Sequence, residues 1–209
     1  RLTPQSVAIT LHVPENLRDT FSFKAGQYLT FRHTVNGNEI RRSYSIAAAP
    51  SSGRLTVGVK KIPNGVFSAY ANDTLSKGDV LEVMPPDGRF IFEPGPEPKN
   101  ILAFAAGSGI TPIVSIAHAV LESNDENRFV LVFGNRSPKD TMFRKELELL
   151  KKTYTDRFIL QSVYSRQAED DALFGRIDRS VTNLVLNNKF KKWSFDAYYL
   201  CGPEDMINT

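Results

Sequence analysis

The chain is predicted to fold as two domains, an antiparallel β-barrel followed by a parallel α/β sheet, and three observations carry that prediction. Short strand-like runs separated by turn residues fill the first half. Strand-like and helix-like runs alternate in the second half. Between them, Glu93-Pro94-Gly95-Pro96-Glu97-Pro98-Lys99 sets three prolines and a glycine in seven residues, which neither a strand nor a helix can carry. The expected divisions are residues 1–94, a linker at 95–99, and residues 100–209. A length of 209 residues suits two domains of about 100 each.

In the first half, Val7–Val13 alternates loosely, Tyr28–Arg32 follows a Gly26-Gln27 turn, and Asn36-Gly37 is a strong hairpin signal. Arg42–Ala47, Arg54–Lys60 and Asp79–Met84 complete the expected strands, with one short helix at Ser68–Leu75. In the second half, Asn100–Ala106 is an almost continuous apolar run of the kind buried on both faces of a parallel sheet. A helix is expected from Pro112 to Ser123 and a strand over Arg128–Phe133. An amphipathic helix at Lys139–Lys152 would turn Met142, Phe143, Leu147 and Leu150 to one side. Arg157–Tyr164 and Ala197–Cys201 are the remaining strands.

Composition narrows the function classes. The sequence is 41% hydrophobic and 23% charged, as in a soluble globular protein, and holds no apolar run of the roughly 18 residues that would suggest a membrane span. A net charge of +3 is too small to argue for nucleic acid, and Lys189, Lys191 and Lys192 read as a solvated surface cluster. The start, Arg1-Leu2-Thr3-Pro4, lacks the apolar core of a secretory signal, so a cytoplasmic setting is expected. The single cysteine, Cys201, rules out an internal disulfide. It also means that a cluster needing four thiolates cannot be held by this sequence unaided. His12, His33 and His118 lack metal-ligand spacing and read as structural, and no metal site is expected.

Two motifs carry chemistry. After Ile101–Ala106 comes Gly107-Ser108-Gly109-Ile110-Thr111-Pro112. Gly107 and Gly109 permit positive φ and close approach of a ligand, Thr111 can cap the following helix, and Pro112 suits its first turn. Such a turn favours a pyrophosphate, although it also serves as a tight connection with no ligand. A third fingerprint glycine is missing because Pro112 stands there, and no acid follows the second strand to hold a ribose 2′-hydroxyl. The chain offers Gly134-Asn135-Arg136-Ser137 instead, and Ser165-Arg166 after the third strand. Two arginines with hydroxyl neighbours at strand ends suit a 2′-phosphate, which favours NADPH over NADH. The second motif is Arg42-Ser43-Tyr44-Ser45, whose strand period puts Arg42 and Tyr44 on one face and Ser43 and Ser45 on the other. Arg42 could pair with a pyrophosphate, Tyr44 could lie against a flat ring, and Ser45 could offer a hydroxyl to it. Asn64-Gly65-Val66-Phe67-Ser68 is a further turn opening a short helix, again suited to phosphate.

With these residues in place, the chain resembles the ferredoxin–NADP reductase superfamily over nearly its whole length. Arg42-Ser43-Tyr44-Ser45 is similar to that family's flavin motif and Gly26-Gln27-Tyr28 to its upstream turn. Gly65 and Ser68 match its flavin-phosphate segment, residues 107–112 its nicotinamide-domain motif, and Cys201-Gly202-Pro203 the strand end beside the nicotinamide. Within the superfamily, the stretches at 132–137, 142–144, 164–167 and 174–178 look most like the reductase subunits of phenylacetyl-CoA epoxidase systems. The resemblance implies a flavin-binding barrel and a nicotinamide-nucleotide-binding α/β domain, with FAD and NADPH as cofactors. NADPH would pass hydride to FAD, which would release single electrons to a two-iron two-sulfur centre on an absent domain or a ferredoxin-like partner, serving a multicomponent oxygenase. Val59 and Lys60 join the implied cofactor-binding residues; Ser45, Tyr44 and Cys201 would stand nearest the reacting atoms. Two other readings stay open: an NADH-dependent cytochrome or flavin reductase of the same superfamily, and a regulatory module that holds flavin without turnover.

Overall fold

The computed structural model describes residues 1–35 and 37–209. Among these, β1 (Ser6–Leu11) pairs antiparallel with β4 (Leu55–Lys60), and β2 (Tyr28–Val35) pairs antiparallel with β3 (Asn38–Ser45) and with β5 (Glu82–Val83). A bridge between Ile46 and Val57 joins the two sheets at a corner. They close on a shared core of Leu29, Phe31, Ile46, Leu55, Val57, Val59 and Phe67. The hairpin turn expected at Asn36-Gly37 falls in part outside the described residues, at Asn36, but the strands on either side pair in register from Val35↔Asn38 to Tyr28↔Ser45. The strand expected at 79–84 shrinks to Glu82–Val83. Pro85 and Pro86 stop the ladder by removing two donors, and Val80 is 93% exposed with no face to bury.

The short helix of this half, α1, runs over Val66–Asp73, two residues earlier than expected. Gly65 is its N-cap residue. Ser68 does not cap it; the Ser68 hydroxyl donates to the Gly65 carbonyl and accepts from the Ile62 N–H.

The second half is a five-stranded parallel sheet in the order β10-β6-β7-β8-β9. These strands are β6 (Asn100–Ala106), β7 (Arg128–Asn135), β8 (Phe158–Tyr164), β9 (Leu173–Phe174) and β10 (Ala197–Cys201). The helices are α2 (Ile110–Ser123), α3 (Arg144–Thr153), α4 (Arg179–Leu184) and the four-residue α5 (Glu204–Ile207). Helix α2 is apolar nearly all round, and Ile110, Ile113, Val114, Ile116, Ala117, Val120 and Leu121 are all buried. A helix of that composition needs cover on more than one side. It has the sheet on one side and the first half on the other, so that Ala25, Ala47 and Phe92 share one core with Ile101, Ile116 and Phe129. The Ser115 hydroxyl donates to the Ala48 carbonyl at 2.7 Å inside this seam.

The helix expected at 139–152 is split. A 3-10 turn covers Pro138–Asp140, and α3 starts only after Phe143, which sits in the left-handed region at φ 57°. The four apolar side chains expected on one side are nevertheless all buried, because the kink turns Met142 and Phe143 inward beside Leu147 and Leu150.

Candidate functional site

The carboxyl end of β6 turns at Gly107, whose φ of 55° suits glycine, through a 3-10 turn at Gly107–Gly109 into α2. Gly109 needs its missing side chain for a different reason. Its φ is an ordinary −61°, but a Cβ there would lie 2.1 Å from the Cys201 carbonyl oxygen. The end of β10 is thus pressed against the turn, and a Cβ on Gly202 would come within 3.2 Å of the Ala106 Cβ and nitrogen. The glycine turn and Cys201-Gly202-Pro203 meet at one strand-end crevice. Ser108 lies exposed at its lip, and Pro112 is buried in the first turn of α2. Thr111 is not the cap residue: Gly109 holds that position, and the Thr111 hydroxyl donates back to the Ser108 carbonyl at 3.0 Å. The helix starts early enough to take Thr111 inside, where its side chain is buried.

Lys60, the last residue of β4, reaches this crevice from the other half, its Nζ 3.5 Å from where a Gly107 Cβ would be. Val59 beside it is fully buried, and its carbonyl accepts from the Asn72 side-chain amide. Cys201 is half-buried, and burial pushes its thiol pKa up, so it is held as the neutral thiol at neutral pH.

Strands β7 and β8 keep their pairing past the sheet proper. The Ser165 N–H donates to the Asn135 carbonyl at 3.0 Å and the Arg166 N–H to the Arg136 carbonyl at 2.9 Å. Arg136 and Arg166 are therefore cross-strand neighbours at the carboxyl edge. Both are exposed, and neither guanidinium has a hydrogen-bond or ion-pair partner among the described residues. The stretch at 174–178 adds a residue for which no site role is expected from the sequence. Phe174 pairs with Tyr164, two residues before Arg166, across β9 and β8 and is 67% exposed. The signal that could have found it is Phe174-Gly175-Arg176, a large apolar residue followed by a positive-φ glycine and a cation.

In the barrel, the strand period holds at residues 42–45. Tyr44 stands opposite Leu29 and Arg42 opposite Phe31, while Ser43 and Thr30 share a hydrogen bond of 2.9 Å on the other face. The Tyr44 ring is half-buried, edge-on to Phe31 at 5.9 Å and tilted against Phe67 at 5.5 Å; burial raises its pKa. Arg42 is exposed, and its guanidinium donates to the Arg41 carbonyl. Ser45 is partly exposed at the strand end, opposite Tyr28. Gly65 and Val66 line a concavity of about 500 Å³ with Gln5, Lys61, Ile62 and Asn64. Phe67 points into the core at 1% exposure, so it can meet a ligand only through its backbone. The two halves of the site connect through Phe90, which packs edge-on against Tyr199 at 5.3 Å, and through the Tyr199 hydroxyl, which donates to the Ile91 carbonyl. Tyr199 lies two residues before Cys201 on the same face of β10.

Among the described residues no His, Cys, Asp or Glu group could hold a metal ion, and no helix is long and apolar enough to cross a membrane.

Comparison with known proteins gives a consistent picture. Models of an oxidoreductase FAD-binding domain and an oxidoreductase NAD-binding domain match residues 3–92 and 104–209. One of the subunits of 1,2-phenylacetyl-CoA epoxidase from Escherichia coli (strain K12) is 38% identical over 208 residues, covering 99% of this chain and 58% of that protein. The ferredoxin reductase component of 3-ketosteroid-9-alpha-monooxygenase from Rhodococcus rhodochrous is 36% identical over 213 residues, covering 99% of this chain and 56% of that one. Among solved structures, a ferredoxin NADP+ reductase from Neisseria gonorrhoeae with bound FAD and NADP aligns with a TM-score of 0.79 at 24% identity, over 99% of this chain and 82% of that one. That likeness speaks to the fold. The chain spans a little over half the length of these two curated relatives.

Proposed function

Since the chain belongs to the FAD- and NAD-binding oxidoreductases of the ferredoxin reductase type, we propose that it takes hydride from NADPH onto FAD and delivers single electrons to an iron–sulfur centre serving an oxygenase. The observation that carries the NADPH reading is the adjacency of Arg136 and Arg166, two exposed guanidinium residues without partners among the described residues, at the carboxyl edge of the parallel sheet. Guanidinium forks match phosphate oxygens, and a 2′-phosphate is what separates NADPH from NADH.

The residues divide the work as follows. The Gly107–Gly109 amides and the start of α2 receive the pyrophosphate of the nucleotide, with Lys60 supplying a cation from the barrel. Ser165 lies beside the two arginines, and Phe174 offers its exposed face to the adenine. Arg42 and the Gly65–Ser68 turn serve the flavin phosphates. Tyr44, locked between Phe31 and Phe67, presents a fixed ring face to the flavin, and the Ser45 hydroxyl hydrogen-bonds at its edge. The neutral Cys201 thiol and Gly202 form a small, uncharged wall at the hydride-transfer position. When bound, the flavin supplies the conversion of a two-electron hydride into single electrons. The closeness needed for transfer, roughly 3–3.5 Å between reacting atoms, makes positioning by these residues the protein's main contribution. The acceptor and oxygenase partner are inferred from the relatives, whose names place them in an epoxidase and in a monooxygenase. A reducing compartment, the cytoplasm, fits a single unpaired cysteine.

The test is an anaerobic titration of the FAD-loaded chain, following the flavin absorbance band. We expect bleaching at a roughly tenfold lower concentration of NADPH than of NADH, equivalent to about 1.4 kcal/mol of phosphate recognition. Equal or better reduction by NADH would remove the NADPH assignment. A bound flavin that neither coenzyme reduces would favour a regulatory flavin module.

A further inference from the structure

His118 lies on α2, away from the strand-end crevice, and both of its ring nitrogens face carboxylates. Nδ1 is 3.0 Å from Glu122 Oε1 on the same helix, and Nε2 is 2.7 Å from Glu146 Oε1 in the first turn of α3. One of the two carboxylates is in turn tied to the barrel, and the other feels a barrel cation. The Ser51 hydroxyl, on the loop between β3 and β4, donates to Glu122 Oε2 at 2.5 Å, and Arg54 at the end of that loop attracts Glu146. The other ionisable neighbours are Tyr154, which feels Glu122, and Arg157 and Asp125 beside Tyr154.

A neutral imidazole has one N–H and one lone pair, so it can satisfy only one of two carboxylates; the imidazolium donates to both. Loss of one proton turns one of the two short contacts into a lone pair facing an anion. From this geometry we infer that His118 is a proton-operated latch. Doubly protonated, it ties α2, α3 and the barrel loop 49–54 together, and on losing a proton it lets one carboxylate go. The first turn of α3 is the part poised to move. It follows the left-handed Phe143, and Met142 and Phe143 press on Gly58 of β4, where a Cβ would come within 2.9 Å of each. A release of Glu146 therefore loosens a contact between the two halves of the molecule, whichever coenzyme is used.

The direction with pH follows from the net shift. Burial pulls the His118 pKa down, but hydrogen bonds to Glu146 and Glu122 and the attraction of their charges together outweigh it and the pKa is raised. A histidine raised above its unfolded value of about 6.5 contributes stability that is complete below that pH and is lost as pH rises through the folded value. The latch is closed below ~6.5 and opens as pH rises through the raised folded value.

The experiment follows the FAD-loaded chain from pH ~6 to ~9, reading the His118 ring by NMR and amide protection by hydrogen exchange corrected for intrinsic rates. We expect His118 to titrate above ~6.5, with protection at 51–54 and 144–147 falling about tenfold in step with it. Titration at or below ~6.5, or protection that does not follow the ring, overturns the latch. In His118→Gln the protection should lose its pH dependence, and its persistence overturns the proposal. Should that variant fail to fold, Glu146→Gln removes one anion and should move both transitions to lower pH together. Unmoved transitions overturn it equally.

Discussion

A methyl group on Gly109 would sit 2.1 Å from the Cys201 carbonyl oxygen, whereas one on Gly107 would meet nothing closer than Lys60 Nζ at 3.5 Å. The two glycines of one motif thus serve different physics. Gly107 is required by its positive φ, at a cost to other residues of about 1–2 kcal/mol, and Gly109 by backbone crowding from β10. Overpacking against backbone typically costs about 1–3 kcal/mol and shifts what it touches. We therefore expect Gly109→Ala to disturb the crevice and weaken coenzyme binding more than Gly107→Ala does at equal loss of stability. Urea melts and coenzyme titrations of the two variants check this, and the reverse order would show that β10 yields easily. At the other edge, Arg166→Ala should raise the NADPH requirement by roughly tenfold, the worth of about 1.4 kcal/mol, and leave NADH unchanged. Steady-state kinetics with both coenzymes decide it, since an equal loss for both would end the phosphate role.

Legibility from sequence varies by element, for reasons visible in the contacts. Strand β6 is readable to the residue because a continuous apolar run buried in a parallel sheet has few alternatives, and the edge strand β10 is readable as a short aromatic-rich run ending at Cys201-Gly202-Pro203. The glycine turn and Arg42–Ser45 are each weak signals alone and become legible through their order, their spacing and the motifs around them. The start of α3 is not legible, since a kink at Phe143 keeps the apolar pattern while breaking the helix, and pattern alone cannot distinguish the two. Strand β9 and helix α4 are faint for other reasons. Two residues are too few to show alternation, and the α4 signal is the Asp178 carboxylate, which accepts from the Val181 N–H at 2.9 Å. The approach of Lys60 to Gly107 and the two-sided bonding of His118 are tertiary facts. They join residues distant in sequence through the seam, and local patterning carries no trace of them.

The seam also governs how the whole molecule should unfold. Two domains joined by a proline-rich linker would ordinarily be free to melt one after the other. Here the linker is the lesser connection. Ala25, Ala47 and Phe92 of the first half are buried in the same core as β6, β7 and α2, and α2 would be left with an uncovered apolar face if the barrel departed. The Ala48 carbonyl would lose its bond from Ser115, and Ile91 its bond from Tyr199. Separation would hydrate these groups, so each bond lost is worth a net of about 0.5–1.5 kcal/mol, and the larger penalty is the apolar face of α2 left in water. We expect one cooperative transition. Trp193 fluorescence, which reports only the α/β half, should coincide in urea with the exchange of β2 amides such as Leu29 and Phe31. Ser115→Ala should lower the midpoint of both probes equally by removing a buried cross-seam bond. Barrel amides that exchange well before the tryptophan signal changes would mean that the halves unfold independently and that the shared core is only a docking contact.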